Sequence, residues 1–328
     1  MSVKRPRLNI NSIRSAQNSR KLRRMGVQKI QLSLDSDQVT AGRTVSGQLL
    51  IFNSGQDLPT NVEATLIFQM SIRVSFKKFN GKHCLYHNKV VWNEAKLWDS
   101  ETDPAAFQKK STGEFRFPFR VQVPTDLQGT FHGKFGKIEH QCIAEVGVKN
   151  KMWKKKERAT LQVTESEFQS SANLPIDFVE SQPLNGGRIE VMAQLERSVY
   201  SAGETIKLQC HVTNSSPKGV VVKYQLIQDV GYNIRNIILN SRRMLDFARL
   251  LGTQAEIEPN DEKTLKIPLR VPSDIFTTIR QSQNITVDHA ILITVAPLSG
   301  IHGVIRYQIP VALFNPVPAE SSAKTSSK

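Results

Sequence analysis

Cysteine is scarce here: Cys84, Cys142 and Cys210 are the only three thiols in 328 residues. So few, so widely spaced, cannot frame a disulfide-stapled fold. Long apolar runs are missing too. The longest, Ala290–Leu298, contains Thr294, whereas a helix that crosses a bilayer needs about 20 apolar residues. No apolar segment follows the basic N-terminus, which argues against a secretory route and for a reducing, intracellular compartment. The 18 Gly and 15 Pro follow no collagen-like period. Catalytic signatures are absent as well: there is no Gly-x-Ser-x-Gly elbow, no phosphate-cradling Gly-x-x-x-x-Gly-Lys and no His-Glu-x-x-His. His83-Cys84-x-x-His87 is the one local His/Cys cluster, and without a second pair it lacks the spacing of a zinc site. No enzyme, cofactor or metal site is expected.

What the chain does contain is ordinary globular material, 39% hydrophobic and 22% charged, in a length that suits two domains. Its charge of +15 is unevenly placed. Residues 1–165 hold 28 Lys+Arg against 14 Asp+Glu, and residues 166–328 hold 16 against 15. Eight cations precede Met25 and no acid precedes Asp35, so the chain opens on a basic arm. Such an arm suits the phosphates of nucleic acid, anionic lipid or a phosphorylated tail, and equally a solvated tail without a ligand. Its Arg/Ser-rich composition also fits a transit peptide. Charge alone does not choose among these, but no Phe, Tyr or Trp is interleaved for base stacking, so nucleic acid is not expected. A second basic cluster, Lys149 to Arg158 around Met152 and Trp153, reads as a charged hairpin tip.

Alternating apolar and polar residues dominate, as in Ile30, Leu32, Leu34 and in Phe115, Phe117, Phe119, Val121, Val123. This is the pattern of half-buried antiparallel sheets. Only Arg242–Leu251 shows helical spacing, through Met244, Phe247, Ala248 and Leu251, and it too can be a strand. The letters of Asp246–Leu251 match an acidic dileucine sorting signal, but inside a domain Leu250 and Leu251 read as core.

The chain is written twice. Thr40-Ala41-Gly42-Arg43-Thr44-Val45 returns 161 residues later as Ser201-Ala202-Gly203-Glu204-Thr205-Ile206. Phe119-Arg120-Val121 to Leu127 is echoed by Leu269-Arg270-Val271 to Ile275, and Ile138-Glu139-His140 by Val287-Asp288-His289. A period of this size predicts tandem β-sandwiches. The expected organisation is a basic disordered arm (1–25), a first sandwich (26–165), a polar Ser-rich linker (166–186), a second sandwich (187–315) and a disordered tail (316–328). Gly42 and Gly203 are placed at tight turns that need positive φ, and Gly133 and Gly136 at a sharp strand entry. His140 and His289, at matching positions, read as structural.

Ala41 to Gly47, the Val-Pro-x-x-Leu of Val123–Leu127, and Gly129-Thr130-Phe131-His132-Gly133-Lys134-Phe135-Gly136-Lys137-Ile138 together resemble the arrestin-domain family, specifically its α-arrestin branch. Gly187-Arg188-Ile189, Ser201–Ile206 and Arg270-Val271-Pro272 resemble the second domain of that family. The resemblance spans about residues 26–315 and implies an all-β fold of two tandem arrestin-like, immunoglobulin-like β-sandwiches. It implies a non-enzymatic adaptor, cytoplasmic and peripheral to the plasma membrane or endosomes. Such an adaptor would bind cytosolic tails or loops of membrane proteins, and an anionic membrane surface is a further partner. It would link its clients to trafficking, endocytosis or ubiquitination machinery. The alternative is an arrestin-fold structural subunit of an endosomal sorting coat, like that of retromer. Recruitment of ligases through WW domains is not expected, because no Pro-Pro-x-Tyr occurs. Arrestins in general receive phosphates on basic residues of the first domain, which directs attention to Arg20, Lys21, Arg23, Arg24, Lys77, Lys78, Lys149 and Lys151 as anion contacts.

Overall fold

The computed structural model describes residues 27–53, 62–77, 83–99, 113–149, 154–166, 174–184, 186–236, 239–298 and 303–314. Among the described residues every regular element is a strand. The first repeat supplies β1 (Val27–Leu34), β2 (Gln38–Thr40), β3 (Thr44–Asn53), β4 (Val62–Lys77), β5 (His83–Asp99), β6 (Gly113–Gln122), β7 (Phe131–His132), β8 (Gly136–Val148) and β9 (Lys154–Thr164). They form one sheet in the order β1-β3-β6 and another in the order β2-β9-β8-β4-β5, with β7 on β8. The alternation in the sequence becomes the two faces of each strand. In β6, Phe115, Phe119 and Val121 are buried while Arg116, Arg120 and Gln122 meet solvent.

The second repeat supplies β10 (Ile176–Leu184), β11 (Gly187–Leu195), β12 (Val199–Ser201), β13 (Thr205–Asn214), β14 (Val220–Asn236), β15 (Leu239–Ile257), β16 (Asp261–Arg270), β17 (Ile285–Pro297) and β18 (Ile305–Phe314). Its sheets run β10-β11-β13-β16 and β12-β18-β17-β14-β15. Apart from β7 in the first and β10 in the second, the two repeats therefore share one topology, down to the short parallel pairs β2–β9 and β12–β18. The Ala-Gly turns coincide as the repeat predicts. Gly42 (φ 82°) and Gly203 (φ 79°) both adopt the left-handed region, where a Cβ is strained. Their amides donate to the carbonyls of Val123 and Val271, each at 3.1 Å. The flanking amides of Ala41 and Ala202 donate to Thr164 and Phe314, at 2.8 and 2.9 Å.

In two segments the structure adds to the sequence reading. Arg242–Leu251 is strand throughout, within β15, and pairs antiparallel with β14. An extra residue at Leu250 puts Ala248 and Leu251 three positions apart but only two ladder steps apart, opposite Gln228 and Leu226. That bulge gives Ala248 and Leu251 a helix-like interval within a strand. The stretch 166–186, read as linker, contains β10, which pairs with β11 from Ile176↔Leu195 to Leu184↔Gly187. Phe178 anchors it edge-on against the Tyr307 ring, centroids 5.7 Å apart. Its Glu, Gln, Ser and Pro content hid the strand, because an edge strand needs only one apolar face.

The sandwiches share a core. Val230, Tyr232, Ile279, Ile285 and Val287 of the second repeat belong to the same buried cluster as Phe131, Ile138, Val74 and Leu161 of the first. The Gly-Thr-Phe-x-Gly-Lys-Phe-Gly segment is the joint. The Phe131 ring lies 4.9 Å from Phe276 and 6.2 Å from Tyr232, and Phe135 meets Tyr232 edge-on at 5.6 Å. Gly133 lacks positive φ. It is required for a different reason than strand entry, since a Cβ there would overlap the Phe131 ring and the Tyr232 hydroxyl. Glu165, 2% exposed, ties the same joint through its carboxylate, which accepts the amides of Gly129 (3.3 Å) and Arg280 (3.0 Å).

Candidate functional site: the open edge and basic face of the first sandwich

β1 and β11 are equivalent strands with different neighbours. β11 is paired on both sides, by β13 and β10. β1 pairs with β3, and among the described residues no strand pairs with its other side. Its backbone there is a ready template for an added strand. Val27 and Ile30 anchor β1 in the core while Gln28, Lys29 and Gln31 are exposed. Next to it, the Lys155 ammonium of β9 donates to the Gln28 carbonyl.

Lys155 belongs to the basic cluster read as a hairpin tip, and the structure assigns most of that cluster to strand instead. Lys154, Lys156 and Arg158 stand opposite Gly147, Glu145 and Ile143 of β8. Alternation puts them on the outer face, while Lys155 turns toward β1. Lys154 bonds Glu63 at 3.0 Å and approaches Glu145 at 3.7 Å. Burial opposes its charge, but those two carboxylates outweigh it and hold the ammonium above its ordinary range. Lys156 also pairs with Glu145. Arg158 and Lys89 carry no ion pair among the described residues. They flank a groove of about 400 Å³ on this face, floored by Ile67, Ile143 and Val91. The face thus offers apolar contact with unspent positive charge beside it.

The residues singled out from the sequence do not form one cluster. Arg20, Lys21, Arg23, Arg24, Lys78 and Lys151 lie outside the described residues. Lys77 closes β4, its backbone opposite His83, and its side chain is likewise outside the description. Lys149 follows β8, and its ammonium sits 2.8 Å from Asp99, which Lys96 also reaches at 2.5 Å. Lys77 and Lys149 stand at opposite ends of the β4–β8 ladder, separated by roughly 50 Å of extended chain. What the sequence reading passed over is Lys29, Lys89 and the pairing of Lys155 with β1. The signal for Lys155 and Arg158 was the run of cations itself, and its strand period was obscured by having a charge on both faces.

His140 and His289 are buried in the fold. His140 Nε2–H donates to the Gln128 carbonyl at 2.9 Å, and burial lowers its pKa to about 4. His289 lies between Thr278 (2.9 Å) and Gln228 (3.2 Å), and burial, with Arg280 nearby, lowers its pKa to about 3. Both are neutral structural groups. His87 contacts the Ser71 hydroxyl at 3.3 Å, and the side chains of His83 and Cys84 lie outside the description. Among the described residues no cluster of His, Cys, Asp and Glu could hold a metal ion, and no helix is long and apolar enough to cross a membrane.

Two sandwiches of matching topology, joined through a glycine–aromatic segment, define a tandem arrestin fold. Family models agree: "Arrestin (or S-antigen), N-terminal domain" matches residues 29–167, and "Arrestin (or S-antigen), C-terminal domain" matches residues 185–318. The chain belongs to the arrestin-domain family. It is similar to human "Arrestin domain-containing protein 4", 28% identical over 172 residues, which cover 49% of this chain and 40% of that protein. It is also similar to human "Arrestin domain-containing protein 5", 23% identical over 252 residues, covering 74% and 73%. The match to the mouse "Arrestin domain-containing protein 4" is 27% over 172 residues, covering 49% and 41%.

Proposed function

We propose that this chain is a non-enzymatic arrestin-type adaptor that captures acidic or phosphorylated cytosolic segments of membrane proteins by adding them as a strand to β1. It then presents them to trafficking, endocytosis or ubiquitination machinery at the cytoplasmic face of the plasma membrane or endosomes. The observation that carries the reading is internal. β10 fills, on β11, the position that no described strand fills on β1, so the molecule carries in one half a template of the complex expected in the other. Main-chain pairing supplies affinity without sequence selectivity, and the cations beside the edge, Lys29 and Lys155, with Arg158 and Lys89 on the outer face, select negative charge. Arg20, Lys21, Arg23, Arg24, Lys77, Lys78 and Lys151 add positive charge to the same half of the sequence as further candidate anion contacts, and Lys149 acts mainly by holding Asp99.

The test is a titration of the full chain with one acidic peptide in serine and phosphoserine forms. Binding should favour the phosphorylated form and weaken steeply between 0.05 and 0.5 M salt, concentrations that shorten the screening length from about 14 to about 4 Å. Lys29→Glu with Lys155→Glu should weaken it further, by about fivefold per exposed contact. Affinity indifferent to salt, to phosphate and to both substitutions would retire the reading.

A further inference from the structure

At the junction of the two sandwiches a cleft of about 500 Å³ is lined from both repeats. Its apolar part comes from Phe131, Val163, Ile275 and the half-buried Phe276. Asp37, from the turn before β2, and Asp274, from the loop after β16, line it as well, and both are exposed. Several acids of the first repeat are engaged: Glu63, Glu145, Asp99 and Glu139 each pair with a lysine, and Asp35 accepts from Ser46. Asp37 and Asp274 pair with no cation among the described residues. Two carboxylates without a cation partner among the described residues, one from each repeat, thus line one cleft of mixed polar and apolar character, in a chain whose first half carries a large positive excess.

We propose that this interdomain cleft receives an arginine side chain, followed by an apolar residue, from an extended segment of a partner protein. A guanidinium is the cation that suits the lining. It is planar and weakly hydrated, it can lie on an aromatic face such as that of Phe276, and its fork of donors can reach carboxylates on two sides. The neighbouring apolar residue would cover Ile275 and Phe276. The ligand has the opposite charge to the one assigned to β1, so the two sites take different parts of a partner, or two partners. Because the lining comes from both repeats, an occupant also bridges them.

The probe is a capped hexapeptide, acetyl-Gly-Ala-Arg-Leu-Ala-Gly-amide, titrated to millimolar concentration into the full chain at pH 8. Methyl NMR of Ile275 and Val163, which line the cleft, reports occupancy. Saturable shifts at both methyls are expected, with affinity at least tenfold weaker in the double variant Asp37→Asn, Asp274→Asn. Both side chains are exposed, and an unchanged spectrum of the free variant would establish that it folds. The peptide with citrulline, which keeps the shape and loses the charge, should bind at least tenfold more weakly. Equal binding of the citrulline peptide, equal binding by the double variant, shifts confined to β1, or no shift at millimolar peptide would each overturn the proposal.

Discussion

At the scale of single residues, burial of polar groups sets how the fold answers to acid. His140 and His289 are neutral in the folded chain, with pKa values lowered to about 4 and about 3, but ordinary when it unfolds. The unfolded chain therefore binds more protons below pH 6.5, and stability falls as pH drops from there toward 4. For His140 alone the loss approaches about 3 kcal/mol. Urea unfolding at pH 7.5 and 5.0 should show the decline, and His140→Gln, which keeps a donor toward Gln128 but cannot titrate, should flatten it. Gly133 is the other residue on which much depends. Gly133→Ala forces a methyl against Phe131 and Tyr232, an overpacking cost of about 1–3 kcal/mol that thermal unfolding should register. Both residues were visible in the sequence, His140 through its repeat partner and Gly133 through its motif. Their surroundings were not, because Tyr232 lies about a hundred positions from Gly133 and no local pattern links them.

Among the elements, the strands were legible wherever one face is apolar, as in β6 and β8, and the repeat made their order legible too. What could not be read were elements whose apolar content is slight or whose period is broken. β10 is one, held by Ile176, Phe178 and Leu184 amid acids and glutamine. β15, with its extra residue at Leu250, is another. The candidate site suffered for a related reason. Charge could be counted along the chain, but whether Lys77 and Lys149 meet depends on ladder direction, which composition does not contain. The role assigned to β10 has a direct check. Phe178→Ala removes its ring contact with Tyr307 and should cost about 1–3 kcal/mol, less than deleting a fully buried ring. Amide exchange of Val191 and Ala193 in β11 should quicken while β3 is unaffected. Exposure of the β11 edge should also let it accept an added strand, giving peptide binding at a second place.

For the whole molecule, the shared core predicts that two sandwiches unfold as one. Calorimetry should give a single transition, because Tyr232, Ile279, Ile285 and Val287 cannot leave the first repeat's core without exposing it. Tyr232→Ala, which deletes a fully buried ring, should cost about 3–5 kcal/mol and split the transition in two. The same joint has a consequence for how the protein is made. On the ribosome the first sandwich is complete when Thr164 emerges, yet the covers for Phe131 and Phe135 lie between Val230 and Val287, still to be synthesised. At about 5–20 residues per second the wait for Val287 is roughly 6–25 s. Throughout it the nascent chain displays an aromatic patch that its finished form conceals, so a cellular chaperone has both the time and the surface to engage it.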